Sequence, residues 1–332
     1  MVLFLTSDEK ELKMAHELTL NNGVAEMAFV GETPWHGLGQ KLEQNASFDE
    51  WQIAAGMNWH IQSSPVLFTG NQPLPDVFEG KNVLSRSDTN APLSVVSNRY
   101  KAVQPVEVLH FFKSLVEENG FKLHTAGTLF GGKRMWALAE TGNFGEVSKN
   151  DGVGGFLLLS TSCDKSLATT ARFTTVRVVC NNTLSWASED NTNMVSFNHM
   201  QKFDHELVKA KLASSVASFG SFMEMAKVLQ KQRIGGSNAV EFVKKLLLNN
   251  EQLLDNEYNY DNHRAYTKIM DLFEGEAKGC ELVGDSKWGM LNAVTEYFDH
   301  HAPNRSKDSK LNSAWFGHGN KVKTKAVELL LV

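Results

Sequence analysis

Cys180 is the residue whose neighbours best suit a nucleophile. It follows Arg177 and precedes Asn181-Asn182, where an extended run gives way to a helix-like pattern. A helix N-terminus and a nearby cation lower a thiol pKa. A catalytic thiol also needs a positioned base, and no histidine is close in sequence; His124 or His199 would have to come from elsewhere in the fold. A buried structural cysteine is the plainer reading. Glu296, Asp299, His300 and His301 are of metal-ligand type, but without HExxH or a second cluster they read as a solvated helix end. No GxxxxGK[ST] occurs, which disfavours P-loop ATP chemistry. Gly131-Gly132-Lys133 reads instead as a tight turn that carries Lys133 and Arg134 at its tip. The sequence therefore assigns no catalytic residue, no metal site and no cofactor.

Nucleic-acid binding asks for cations to meet phosphates and flat side chains to meet bases. The candidates are Arg99, Lys101, Lys133, Arg134, Lys165, Arg172 and Arg177, with Trp136 as a stacking platform. Alternation puts Arg172 on the face opposite Phe173, where it is expected to meet solvent. Arg177 shares the parity of Phe173 and is expected to be buried, holding the turn into a helix. Lys321, Lys323 and Lys325 offer a second polyanion contact or simply a soluble helix face. A merely solvated basic set is the competing reading throughout. Trp35-His36, inside the turn-rich GETPWHGLG, would stack on a base or plug the edge of a core, the plug being the plainer role.

The elements that must position these residues centre on 121–187. Two apolar runs flank Gly131-Gly132 and two flank Asp164-Lys165-Ser166, and each pair reads as a β-hairpin. VVCNNTLSWA reads as a strand running into a helix, with Asn182 or Thr183 as N-cap. Upstream, Ser47 with Glu50 predicts a capped helix over 47–59, and 60–68 returns as a strand. Residues 81–104 predict a hairpin turning at Thr89-Asn90, and 105–120 a helix from Pro105 to Gly120. Beyond 198 the pattern is helical: 199–233, 239–250, 263–276 and 286–301, then an exposed basic loop HAPNRSKDSK and a closing segment rich in lysine. The expected fold is α+β: a curved antiparallel sheet of hairpins with packed helices (14–198), followed by an all-helical region (199–332). Residues 1–13 read as a translated leader before a native start at Met14, or as a short arm.

Composition sets the bounds. With 42% hydrophobic residues, 21% charged residues and a net charge of −5, the chain is ordinary for a globular protein and not basic all over. A local basic groove is still allowed, since a polyanion responds to the local field. Three scattered cysteines without a CxxC fit reduced thiols in the cytoplasm. No apolar run of about 18 residues predicts a membrane span.

Six ordered blocks then carry a resemblance: GETPWHGLG; SRSD followed by NRYKAVQ; TAGTLFGGKRMWALAE; RFTTVRVVCNNTL; WGMLNAVTEYFDHH; and SAWFGHGNKVKTKAVELL. They resemble the phage/plasmid-like family called domain of unknown function 932, from about Met14 to the end. The motif positions are Trp35, His36, Arg86, Asp88, Asn181, Trp288, Asn292, Trp315 and Lys321. The resemblance implies a phage, plasmid or integrative element. One level up, the hairpin–hairpin–helix order of 121–187 is similar to the core of Rad52-like single-strand annealing proteins, a fold-level analogy. The expected function is ATP-independent binding and annealing of single-stranded DNA by a homo-oligomer, with a ring as one candidate form. A protein that docks on a host or phage protein to redirect defence is the competing class, and a nucleic-acid enzyme using Cys180 or the late His/Asp cluster comes last.

Overall fold

The computed structural model describes residues 20–21, 23–31, 38–71, 74–179, 182–184, 194–197, 217–255, 259–304 and 307–332. The expectations for 1–13, Trp35, His36, Cys180, Asn181 and His199 lie outside them.

The sequence expectation of an α+β fold holds. Short strands β1 (Leu20–Asn21) and β2 (Val24–Ala25) precede β3 (Met27–Val30), β4 (Gln40–Leu42) and helix α1 (Phe48–Ala54). Ser47 and Glu50 close the predicted capping box at the start of α1. A three-stranded antiparallel sheet follows, made of β5 (Ile61–Phe68), β6 (Asp76–Arg86) and β7 (Pro92–Ser97). Asn90, in the β6–β7 turn, has φ +56°, a conformation Asn tolerates better than most side chains. Helix α2 (Pro105–Asn119) leads into the long hairpins β8 (Lys122–Leu129), β9 (Arg134–Glu146), β10 (Gly152–Ser162) and β11 (Thr169–Arg177). With β12 (Asn182–Leu184) and β13 (Met194–Phe197) these complete an eight-stranded sheet in the order β12-β11-β10-β9-β8-β3-β4, with β13 also on β11. Every pair in it is antiparallel except β3–β4.

After Ala217 the described elements are helical: α3 (Ala217–Lys231), α4 (Ser237–Leu247), α5 (Asn250–Leu254), α6 (Arg264–Asp271), α7 (Cys280–Val283), α8 (Lys287–Glu296), α9 (Lys307–Phe316) and α10 (His318–Leu331). Among the described residues, none of these helices is long and apolar enough to cross a membrane.

The pleat sorts the large sheet into two faces. Met135, Ala137, Ala139, Leu157, Leu159 and Ala171 point to one side and pack with Trp51, Leu109 and Phe112 of α1 and α2. Further along that side, Val153 and Phe173 join Phe222, Trp288 and Val294 of the helical half, so sheet and helices share apolar contacts. Trp136, Leu138, Phe156 and Leu158 point the other way, to Leu311, Trp315 and Phe316 of α9.

Three expectations are corrected. Asn182–Leu184 is a strand hydrogen-bonded to β11, not a helix start, because Thr175–Arg177 offers it a free sheet edge. Glu296 and Asp299 are buried, not a solvated helix end, because α8 is covered on all sides and each carboxylate accepts backbone N–H bonds. The supposed basic loop after His301 is partly helix, since α9 already begins at Lys307.

Candidate functional site

The cations picked out from sequence divide into two groups. Arg177 is buried as expected: its Nε lies 2.5 Å from Asp151 Oδ1, and its other nitrogens donate to the carbonyls of Lys278 and Gly279. Arg134 is buried as well, between the rings of Phe130 and Phe316, and donates to Ser166 Oγ at 2.7 Å. Desolvation lowers its pKa from the ordinary arginine value. Arg172 is not solvent-facing: α9 covers its face, so it stacks over Phe316 and donates to the Trp315 carbonyl at 3.2 Å. Burial lowers its pKa to about 10. Trp136 is fully buried and meets Trp315 edge-on at 4.8 Å, so it is core packing and not a stacking platform.

Lys133, Lys165, Arg99 and Lys101 remain at the surface, Lys133 partly so and the other three exposed. They gather at one end of the large sheet. The β8–β9 turn abuts the β10–β11 turn through Cys163 N–H donating to the Lys133 carbonyl at 2.9 Å. Lys165 Nζ donates to the Val95 carbonyl, and Tyr100 OH to the Ser162 carbonyl, which lays the segment after β7 alongside.

Most of the described motif positions work as internal struts. Arg86 bridges Glu26 (2.7 Å) and Asp88 (2.8 Å) and lies 4.3 Å above Trp59. Trp288 Nε1 donates to Asp151 Oδ2, and Asn292, buried one turn on, accepts through its carbonyl from Asn182. Trp315 packs on Trp136. Lys321 is exposed, whereas Lys323 is buried and paired with Asp299, so the three lysines do not form one solvent face.

A cleft of about 420 Å³ opens on the α9 side of the sheet. Two interruptions of the β ladder create it. Leu123 pairs with Ala139 but Thr125 with Leu138, so His124 is an extra residue and both His124 and Thr125 turn to the same face. Farther along, Gly154 pairs with Phe144 and Phe156 with Glu140, leaving 141–143 opposite Gly155 alone. Bulges of this kind re-aim side chains, and here they bring His124, Thr125, Glu140, Phe144 and Phe156 to one opening, closed by Trp315. The ring of His124 meets Phe156 edge-on at 5.3 Å, and burial lowers its pKa from the ordinary histidine value. Thr125 Oγ1 and His124 Nδ1 are buried and have no hydrogen-bond partner.

Of these, the sequence reading named His124 only as a distant base and missed Thr125 and Glu140. The signal was available: Leu123 and Ala126 both face the core three residues apart, which breaks the period of two and marks a bulge. Among the described residues no cluster of three or more His, Cys, Asp or Glu could hold a metal ion.

Fold and motif blocks together define a chain of sheet and helices tied by buried ion pairs. It belongs to the family described as domain of unknown function (DUF932), which matches residues 92–315. The blocks GETPWHGLG and SRSD and the residue Lys321 lie outside the matched span. No curated protein and no solved structure matches the chain.

Proposed function

We propose that this protein binds single-stranded DNA and anneals complementary strands without ATP, as a cytoplasmic homo-oligomer serving a phage or other mobile element. The observation that carries the reading is the convergence of Lys133, Lys165, Arg99 and Lys101 on one end of the sheet. Cations grouped on one end of the sheet supply phosphate contacts, and phosphate neutralisation is the largest sequence-independent contribution to strand binding. Of the hairpin–hairpin–helix order on which the Rad52-like analogy rests, β8 to β11 supply the two hairpins, whereas Asn182–Leu184 is a strand and not the start of the helix. Bases would stay free to pair, since the aromatic residue first assigned to them, Trp136, is internal.

A labelled oligonucleotide titrated with the protein at low and moderate salt tests this by fluorescence anisotropy. Micromolar binding that weakens steeply with salt is expected; no binding at low salt by folded protein removes the reading.

A second reading, docking on a host or phage protein, is favoured by the β5–β6 hairpin, where Leu67, Phe68, Val77 and Phe78 are all exposed. Exposed apolar patches of this kind commonly mark protein contacts. Retention of one host protein, with no affinity for DNA, would select it.

A further inference from the structure

We propose that the cleft between β8–β10 and α9 binds a flat, amino-bearing aromatic heterocycle that carries no phosphate, the class of free nucleobases and nucleosides. At about 420 Å³ the cleft lies within the range of small-ligand sites. Its walls are rich in rings: Phe156, His124, Phe144 and Trp315 all line it, which suits a planar aromatic ligand. At its mouth Phe144 is 62% and Val178 58% exposed, apolar surface that a bound ring would take out of water.

The polar groups set the chemistry. Thr125 is only 6% exposed, yet its hydroxyl has no partner, and neither has His124 Nδ1. An unsatisfied buried polar group is destabilising, and a ligand hydrogen-bonding to it recovers that cost. The hydroxyl donates and accepts, and the neutral imidazole, the form that burial favours at His124 against the opposing charge of Glu140, offers one donor and one acceptor. The Glu140 carboxylate and the Asn143 side chain add acceptors, so the ligand brings N–H donors. Phosphate is disfavoured because no lysine or arginine lines the cleft among the described residues. Asp299, also on the wall, already has its charge matched by Lys323.

The site is separate from the basic sheet end. The cleft takes in β9 from Leu138 onward, whereas Lys133 precedes the start of that strand. Binding can therefore be measured without a strand present.

The full chain is titrated by calorimetry with adenine, guanine, cytosine, their nucleosides and the corresponding 5′-monophosphates. Saturable binding of at least one base or nucleoside is expected, with its monophosphate weaker. Thr125→Val and Glu140→Gln should each weaken it about tenfold. Thr125→Val keeps the side-chain shape and removes an unpaired hydroxyl, so its melting temperature should hold or rise; if it fails to fold, Glu140→Gln carries the test. No saturable binding of any base or nucleoside overturns the proposal, as does a tighter monophosphate or an unchanged affinity in the folded variants. Displacement of a bound oligonucleotide by the nucleoside would also overturn it, since strand and free ring would then share one site.

Discussion

Lys323 Nζ lies 2.6 Å from Asp299 Oδ1, and the lysine side chain is 1% exposed. The pair ties α10 to the turn that follows α8, and Lys323 also donates to the Thr183 carbonyl on β12. One buried contact thus joins the last helix, the preceding helical turn and the sheet edge. Desolvation lowers the Lys323 pKa, opposed by the carboxylate beside it.

Removing one member leaves the other charge buried without a counterion. Lys323→Met or Asp299→Asn should each cost about 3–5 kcal/mol, and the double substitution clearly less than their sum. Urea denaturation of the four chains gives the cycle. Additive losses would mean that the two groups do not act as a pair.

Gly132 makes a similar point about the turn between β8 and β9. Its φ is +91°, and a Cβ there would lie 2.7 Å from the Trp59 ring, beneath Arg86. At Gly131, with φ +71°, a Cβ meets nothing within 4 Å. Gly131→Ala should therefore cost only the left-handed strain, about 1–2 kcal/mol. Gly132→Ala should cost about 1–3 kcal/mol more, because the indole must shift. Equal melting midpoints for the two variants would contradict the close approach.

The DNA reading separates exposed from buried cations. Lys133→Gln and Lys165→Gln should each reduce the slope of log affinity against log salt by about 0.7. Both should leave stability nearly unchanged, since Lys165 is exposed and Lys133 is partly so. Arg172→Gln should do the reverse, lowering the denaturation midpoint because its guanidinium is packed under α9. If Arg172→Gln changes the salt slope and the lysines do not, the assignment of the sheet end is wrong.

How much of this was legible follows from which forces act locally. The capping box at Ser47, the turn at Asn90 and the hairpins of 121–177 depend on neighbours in sequence, and they stand where the pattern put them. Arg177 was placed inside correctly because alternation tied it to Phe173. Alternation put Arg172 opposite Phe173, but the face it shares with Trp136 is covered by a second layer, α9, and strand parity carries no information about a helix more than a hundred residues away. The cleft was missed for a related reason. It depends on two register shifts, and a shift is a property of the pair of strands rather than of either one.

Cys163 gives a pH-dependent test of the same packing. Its thiol is buried beneath the β8–β9 turn, with Sγ 3.5 Å from the Lys133 carbonyl, and burial with the nearby charge of Asp164 pushes it up to about 12 from an ordinary 9.0. Between those values the unfolded chain has lost the proton and the folded chain keeps it, so folding binds the extra proton. The resulting stabilisation is complete below about pH 8 and is lost as pH rises from about 9 towards 12, at no more than about 1.4 kcal/mol per pH unit. Tyr100, which burial also raises, contributes in the same direction, so the informative quantity is the difference between chains. Urea melts of the native chain and of Cys163→Ala from pH 7 to 10.5 should show a gap that narrows above pH 9. A constant gap would mean that the thiol titrates normally and that the turn is open to water.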